Sequence, residues 1–225
     1  MKPTVAIGDI HGLNYWKEIV ERHKGCRFVF LGDYLDPHQY IPRKEVLRNL
    51  QEIIGLKKDC PDDVILLLGN HDLHYFSSDA PVCTRFDFQI AEKASHLFVE
   101  NFDLFRYAYQ EGSRIFTHAG ISHKWFEEDF QGEITQPIAD QLNHPSDNQI
   151  AALCCIGQLR GGAKGAVGGI FWADIDELAD PLHGFTQIVG HNRVKDVKER
   201  SGNHENKIVF CDCLWNGNYL ILDEG

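Results

Sequence analysis

Five short apolar runs of this sequence each end in a small polar cluster that contains glycine. The runs cover residues 4–7, 28–31, 64–68, 115–116 and 187–189. The clusters are Gly8-Asp9-Ile10-His11-Gly12, Gly32-Asp33-Tyr34-Leu35-Asp36, Gly69-Asn70-His71-Asp72, Thr117-His118-Ala119-Gly120 and Gly190-His191-Asn192-Arg193. Runs of this length predict buried strands, and ligands bind at the carboxyl ends of strands in open α/β sheets. The pattern therefore predicts an α/β fold whose strand-end loops form one shared site.

The segments between and after these runs indicate how the rest of the chain is organised. Amphipathic helical patterns separate the first three runs, and further helices are expected within residues 86–105 and 148–159. The polar residues 131–147 are expected to form a surface excursion, and the glycine-rich residues 160–169 a loop that approaches a ligand. The last two apolar runs, 208–210 and 219–222, are separated by Asn216-Gly217, which predicts a hairpin. We interpret residues 1–225 as a single domain.

The charge balance argues against one broad class of partner. Lys and Arg number 22 and Asp and Glu 33, so the formal net charge is −11. Bulk nucleic-acid binding draws its affinity from Lys and Arg that contact phosphates, so this acidic chain is not expected to show it. A phosphate-bearing ligand therefore needs a local source of positive charge.

The apolar and cysteine patterns indicate the cellular compartment of the protein. No apolar run approaches the roughly 18 residues that cross a membrane, and the first residues lack the apolar region of a signal peptide. The 7 cysteines include no Cys-x-x-Cys pair and are interpreted as reduced, mostly buried thiols. The expectation is a cytoplasmic protein with no membrane partner.

The side chains in the polar clusters are of the types that bind metal ions. They offer carboxylates, imidazoles and an amide oxygen, from Asp9, Asp33, His11, His118, His191 and Asn70. Such donors suit Mn, Fe, Zn or Co, and six protein ligands are too many for one catalytic ion that must also bind water. Two ions bridged by one carboxylate would use all six donors and bind two phosphoryl oxygens. These ions would also supply the positive charge that the chain lacks.

The order of the motifs resembles that of a known superfamily. The motifs are Asp9-x-His11, Gly32-Asp33-x-x-Asp36, Gly69-Asn70-His71-Asp72, Thr117-His118-Ala119-Gly120 and Gly190-His191. In this order they resemble the calcineurin-like metallophosphoesterase superfamily, and within it the serine/threonine phosphoprotein phosphatase branch and its bacterial relatives. The resemblance implies a four-layer α/β/β/α fold, in which two mixed β-sheets pack as a sandwich flanked by helices.

The resemblance also implies a role for each motif residue. Asp9 and His11 would bind the first metal ion, and Asp33 would bridge to a second. The remaining ligands of the second ion would be Asn70, His118 and His191. His71 would protonate the leaving group, and Asp36 would orient its ring. An imidazole paired with a carboxylate is expected to have a raised pKa, which suits a general acid near neutral pH. The site would hold two divalent or trivalent metal ions. Manganese is the expected metal, and iron, zinc or cobalt are the alternatives.

The phosphate-binding cations of the branch are missing from their expected positions. Pro37 stands where the branch has an arginine, and residues 175–190 contain no arginine. Arg193, Arg160 or Lys164 could replace these residues, and His38 is a further candidate for substrate contact.

Two enzymatic hypotheses follow from the resemblance. The first is a phosphatase that hydrolyses phosphomonoesters, of phosphoproteins or small phosphates, by attack of a metal-bridging hydroxide. The alternative is a nucleotide-polyphosphate hydrolase of the diadenosine-tetraphosphatase type, which needs additional basic residues and an aromatic platform for a base. A non-catalytic scaffold is the third reading, but it predicts eroded ligand positions and the sequence has none.

Overall fold

The apolar runs form strands, and ten strands assemble into two mixed sheets in the computed structural model, which describes residues 2–223. The strands are β1 (Thr4–Ile7), β2 (Arg27–Phe30), β3 (Val64–Leu67), β4 (Phe105–Arg106), β5 (Ala108–Glu111), β6 (Arg114–Thr117), β7 (Thr186–Arg193), β8 (Lys198–Ser201), β9 (Lys207–Asp212) and β10 (Leu220–Leu222). The first sheet has the order β10-β1-β2-β3-β4, and β10 alone is antiparallel to its neighbour. The second has the order β5-β6-β7-β9-β8, with parallel central pairs and antiparallel edges.

Helices flank the sheets and follow the predicted patterns closely at the start of the chain. They are α1 (Trp16–Arg22), α2 (Arg43–Asp59), α3 (Asn70–Leu73), α4 (Ala91–Glu100), α5 (Ile138–Asn143) and α6 (Asp147–Leu153). The face of α2 that carries Val46, Leu50 and Ile53 is buried in the same apolar cluster as Phe28 and Phe30 of β2. The predicted β-α-β-α-β opening is therefore confirmed.

The two sheets pack face to face, which explains why the strand sequences are apolar throughout. Their shared interior includes Ala6, Val29 and Leu67 from the first sheet and Phe116 and Ile188 from the second. Because helices cover the opposite face of the first sheet, its central strands are buried on both sides and cannot alternate with polar residues. The predicted sandwich of two mixed sheets flanked by helices is confirmed.

The predicted C-terminal hairpin is wrong. β9 lies in the second sheet, whereas β10 forms the edge of the first sheet beside β1. Asn216 ends a short 3₁₀ turn, and Gly217, at φ +80°, caps that turn instead of joining two paired strands. The Asn-Gly signal correctly marks a reversal, but the chain there crosses from one sheet to the other.

Two other segments also differ from the expectations. Residues 131–147 contain α5, whose Ile138 and Leu142 are buried, so this excursion forms part of the core. Of residues 86–105, only Ala91–Glu100 is α-helical.

None of the 7 cysteines is in a disulfide, and three are buried, three half-buried and Cys60 exposed. None of the helices within residues 2–223 is both long and apolar enough to cross a membrane.

Candidate active site

The five polar clusters lie together where strands of both sheets end. β1, β2 and β3 supply the first three clusters, and β6 and β7 of the other sheet supply the last two. The structure brings together all six side chains predicted to bind metal ions, namely Asp9, His11, Asp33, Asn70, His118 and His191. Since both sheets contribute, the site depends on how they pack against each other.

The donor atoms fall into two groups that have Asp33 in common. Asp9, His11 and Asp33 form one group, and Asp33, His118 and His191 form the other, each with ligand atoms within 4.8 Å of one another. His11 Nε2 lies 3.6 Å from Asp33 Oδ2, and His118 Nε2 lies 3.5 Å from Asp33 Oδ1. The two oxygens of Asp33 thus face opposite groups, an arrangement that suits a bridging carboxylate.

Asn70 joins the second group through its amide oxygen. Asn70 Oδ1 lies 2.9 Å from His118 Nε2 and 3.2 Å from His191 Nδ1. His191 Nε2 is buried and has no hydrogen-bond partner among the described residues. A buried imidazole nitrogen without a partner is costly, which favours a ligand in this part of the site.

Backbone contacts fix the orientation of two of the imidazoles. His11 Nδ1 lies 2.7 Å from the Leu35 carbonyl oxygen, and His118 Nδ1 lies 2.7 Å from the Leu31 carbonyl oxygen. A carbonyl can only accept, so each Nδ1 carries the proton and each Nε2 keeps its lone pair. That tautomer is the one that can bind a metal ion through Nε2.

The electrostatics of the site also fit bound cations. Burial raises the pKa of Asp9 and of Asp33, and repulsion from neighbouring carboxylates adds to the rise. Burial lowers the pKa of His118 to about 3 and the pKa values of His11 and His191 well below normal. Buried carboxylates without a cation repel one another, whereas neutral imidazoles and carboxylates together make a ligand set for Mn, Fe, Zn or Co. The residues present therefore fit a metal centre.

His71 and Asp36 form a second unit beside these donors. His71 Nδ1 lies 2.7 Å from Asp36 Oδ2, and Tyr75 Oη donates to Asp36 Oδ1 at 2.5 Å. His74 Nε2 lies 2.9 Å from Asp36 Oδ2. Burial alone would raise the pKa of the Asp36 carboxyl, but these three contacts hold it below its ordinary value. A carboxylate that stays ionised keeps the His71 proton on Nδ1 and leaves Nε2 toward the cavity.

The expected rise in the pKa of His71 is not found. Burial lowers its pKa, and the nearby Arg85 charge acts in the same direction. The hydrogen bond and charge of Asp36 raise it, but by less than burial lowers it. The Asp36 pairing therefore orients the ring more than it stabilises the imidazolium.

Asp72 holds the loops that carry these residues. Its carboxylate is fully buried and accepts hydrogen bonds at 2.8 Å from the backbone N–H groups of Asp33, Tyr34 and Gly69. Asp72 thereby caps α3 through the Gly69 N–H and joins the ends of β2 and β3.

Comparison with known proteins places this site in a family. The sequence model described as calcineurin-like phosphoesterase matches residues 2–164. The chain belongs to the calcineurin-like phosphoesterase family. No curated protein matches the chain.

Solved structures share the family fold. The chain is similar to a cold-active protein-tyrosine phosphatase of a psychrophilic Shewanella species, with 17% identity, a TM-score of 0.59, and coverage of 100% of this chain and 76% of the other. It is also similar to a protein serine/threonine phosphatase from Saccharomyces cerevisiae, with 13% identity, a TM-score of 0.53, and coverage of 93% and 67% respectively. At these identities the likeness concerns the fold.

The three predicted substrate-binding residues of this phosphoesterase have different surroundings. Arg160 is held by Asp174, with Nε 2.8 Å from Oδ2, and donates to Asn192 at 2.5 Å. Arg193 lies with its guanidinium 4.2 Å above the Trp215 ring. The His38 ring lies 4.6 Å from the His11 ring, and burial lowers its pKa to about 4, helped by nearby arginines. All three line the cavity at the clustered donor side chains, which has a volume of about 460 Å³.

Sequence reasoning missed Arg85. Its side chain lines the same cavity, and its Nη2 lies 3.3 Å from His71 Nε2 while its Nε donates to the Asp36 carbonyl oxygen at 3.1 Å. Arg85 lies in a loop after α3 that follows no strand, so no pattern in the sequence indicated it.

Asp212 was missed as well. It ends β9, lines the same cavity, and raises the pKa of Asp9 by charge repulsion. Burial raises the pKa of Asp212 itself to about 6, against the opposing charge of Arg193. It lies two residues after the apolar run 208–210, as Asp9 does after residues 4–7, and this signal could have identified it.

Proposed function

We propose that this protein is a metal-dependent phosphatase that hydrolyses phosphomonoesters, of phosphoproteins or of small molecules. The observation that carries the proposal is the convergence of six donor side chains on two sides of Asp33, next to the His71–Asp36 pair. Its two structural neighbours named above are protein phosphatases, so phosphoproteins are among the candidate substrates. The contribution of both sheets to the site supports treating residues 1–225 as one domain.

The metal ligands would divide around Asp33. Asp9 and His11 would hold one ion, and Asn70, His118 and His191 the other, with Asp33 between them. Two bound ions, with manganese expected, would supply positive charge for the phosphoryl oxygens and a water for in-line attack on phosphorus.

His71 would supply the proton for the leaving group from Nε2 of its imidazolium form, which the negative charge of a bound phosphate would favour although burial lowers the His71 pKa. Asp36 accepts from Nδ1 and thereby fixes the ring, and Nε2 lies in the cavity wall where an ester oxygen can approach. Positioned proton transfer of this kind contributes about 10²- to 10⁴-fold to the rate.

Arg85 would bind the phosphate in place of the arginine that Pro37 replaces. Its guanidinium already lies against His71 Nε2, so a phosphate whose ester oxygen meets His71 also comes within reach of Arg85. Guanidinium groups bind phosphate through two parallel hydrogen bonds, which fixes the orientation of the ester. Arg160, by contrast, is neutralised by Asp174.

A second candidate function has one observation in its favour. A smaller cavity beside the metal-binding residues contains Arg193 and the aromatic ring of Trp215. These are the two kinds of residue, one basic and one aromatic, that a nucleotide-polyphosphate hydrolase of the diadenosine-tetraphosphatase type needs.

The proposal is tested by turnover of p-nitrophenyl phosphate, a phosphopeptide and diadenosine tetraphosphate on one manganese-loaded preparation. We expect hydrolysis of at least one phosphomonoester, its loss on chelation, and its loss in Asp33→Asn. Asp103→Asn removes one exposed carboxylate outside both cavities and serves as the matched control. Activity that survives both chelation and Asp33→Asn would overturn the proposal, and hydrolysis of diadenosine tetraphosphate alone would favour the second candidate.

A further inference from the structure

A second cavity opens from the metal-binding residues and is here called the side cavity. Its volume is about 290 Å³, and it shares Asp9, His11 and Asp212 with the larger cavity that contains His71. The end away from those residues is formed by Leu13, Gln39 and Trp215, with His38 and Arg193 between the two cavities. A phosphate ester whose phosphorus lies at the metal-binding residues can therefore extend its organic part into the side cavity.

The wall that carries Arg193 is held in place by several hydrogen bonds. Trp215 Nε1 donates to the Val194 carbonyl oxygen at 3.1 Å, and the amide groups of Asn216 and Asn218 donate to the Lys195 carbonyl oxygen at 2.9 and 3.0 Å. The Trp215 ring is thus fixed beneath the Arg193 guanidinium. A flat aromatic surface under a guanidinium orients its N–H groups sideways, where an oxyanion can accept them.

Arg193 has no carboxylate partner within 4.0 Å among residues 2–223. Arg160, which also lines the larger cavity, is by contrast paired with Asp174 at 2.8 Å. Arg85 likewise has no carboxylate partner within 4.0 Å in that part of the chain, but it lies in the larger cavity beside His71. The site therefore offers one guanidinium group beside His71 and a second where the two cavities meet, although a phosphomonoester needs only one.

We propose that the side cavity binds a second oxyanion carried by the leaving group of a small phosphate ester, and that Arg193, oriented by Trp215, is the residue that recognises it. The inference rests on the proposed phosphatase function and names the substrate class. A volume of about 290 Å³ is at the lower end of small-molecule sites, so it fits a ring or sugar that bears a phosphate or carboxylate.

Three aryl esters that differ only at the para position test this inference. They are phenyl phosphate, 4-carboxyphenyl phosphate and 1,4-phenylene bisphosphate, assayed with the metal-loaded protein. We expect kcat/KM for the two anionic esters, relative to phenyl phosphate, to fall about 10- to 100-fold in Arg193→Gln, mainly through KM. Arg193→Lys should retain part of the preference, and Trp215→Leu should give an intermediate loss. If the second phosphate raises kcat/KM more than the carboxylate does, the substrate class is a bisphosphate. If the carboxylate raises kcat/KM more, the substrate class is a phosphorylated carboxylic acid.

Lys198→Gln is the matched control. Lys198 is an exposed cation on β8 that lines neither cavity, so this variant removes the same charge and should keep the wild-type ratio. An unchanged ratio in Arg193→Gln would overturn the inference. So would a clear preference of the wild type for a phosphopeptide over all three esters.

A binding measurement separates this inference from the proposed function. Calorimetry compares benzylphosphonate with 4-carboxybenzylphosphonate, which cannot be hydrolysed because a methylene replaces the ester oxygen. We expect the carboxylated analogue to bind at least 10-fold more tightly to the wild type and to lose that advantage in Arg193→Gln. If no ester is turned over but this difference remains, the proposed function fails and the side-cavity site stands. Equal binding of the two analogues refutes the site even if turnover is observed.

Discussion

Gly69 lies where an added methyl group would press directly on the side chains proposed to bind metal ions. Its backbone, at φ −113° and ψ 176°, is in an extended conformation that alanine adopts freely. Gly69→Ala therefore tests the steric contacts of the added methyl group without adding backbone strain. The new Cβ would lie 2.7 Å from both the Asp33 backbone nitrogen and His118 Cε1, and it would also meet Asp33 Oδ1. Ordinary contact begins near 3.4 Å, so the Asp33 nitrogen and His118 Cε1 must move by about 0.7 Å, and Asp33 Oδ1 by more.

A displacement of this size affects stability and metal binding separately. Overpacking in a closely packed interior costs about 1–3 kcal/mol, and we expect that loss in the free energy of unfolding of the metal-free protein. Metal–ligand distances tolerate only about 0.2 Å, so a shift of Asp33 and His118 should weaken manganese binding about 10- to 100-fold. Urea unfolding measures the first effect and calorimetric titration with Mn²⁺ the second.

Gly55→Ala provides the control for the same added methyl. Gly55 lies within α2, and its Cβ would meet nothing within 4 Å. Alanine at a helical position is favoured over glycine by about 0.5–1 kcal/mol, so Gly55→Ala should stabilise the protein and leave manganese affinity unchanged. If Gly69→Ala keeps wild-type stability and affinity, the close packing around Asp33 described above is wrong.

Three further predictions concern the acid, the phosphate and the metal ions. Asp36→Asn should lower kcat about 10²- to 10⁴-fold with manganese content unchanged, because His71 loses the ionised acceptor that orients it. The loss should be larger with phenyl phosphate than with p-nitrophenyl phosphate, whose leaving group needs no proton. Arg85→Gln should raise KM for p-nitrophenyl phosphate about 10- to 100-fold, with Arg85→Lys in between, and an unchanged KM would remove Arg85 from phosphate binding. Chelation should lower the free energy of unfolding by about 2.7 kcal/mol relative to protein in manganese at 100 times its Kd, because Asp9 and Asp33 are buried together. Thermal unfolding with and without metal measures this difference. An equal effect of manganese on Asp33→Asn would contradict the prediction.

The strand-end clusters could be predicted because their signal is local and repeated. A short apolar run must be buried, and parallel neighbours end at the same edge, so a side chain directly after one run lies near those after the others. Asp33 and His118 come from different sheets and are 85 residues apart in sequence, yet their donor atoms are 3.5 Å apart. The same argument applies to Asp212, which lies two residues after the apolar run 208–210.

Other features depend on contacts that no local pattern encodes. An Asn-Gly pair predicts a reversal of the chain but not whether the next strand pairs with its predecessor or with β1 of the other sheet. The burial of Ile138 and Leu142 depends on packing of α5 against β5, in a segment whose composition is polar. Arg85 reaches His71 through a loop without periodicity, in a left-handed conformation at φ +65°.

Left-handed backbone is concentrated at the site and connects its geometry to its chemistry. Seven non-glycine residues among those described have positive φ, and five of them line or support the site: His11, Asp33, Asp36, Arg85 and His191. Glycine would adopt these conformations without strain, but it carries no donor atom, so each of these positions combines a needed side chain with an unfavourable backbone. The strain at Asp33 is offset by the buried Asp72 carboxylate, which accepts from the Asp33 N–H and holds two neighbouring backbone groups as well. Asp72 therefore supports the site although it is not one of the proposed metal ligands, since without it the Asp33 backbone could relax and the Asp33 carboxylate would no longer face both groups of donors.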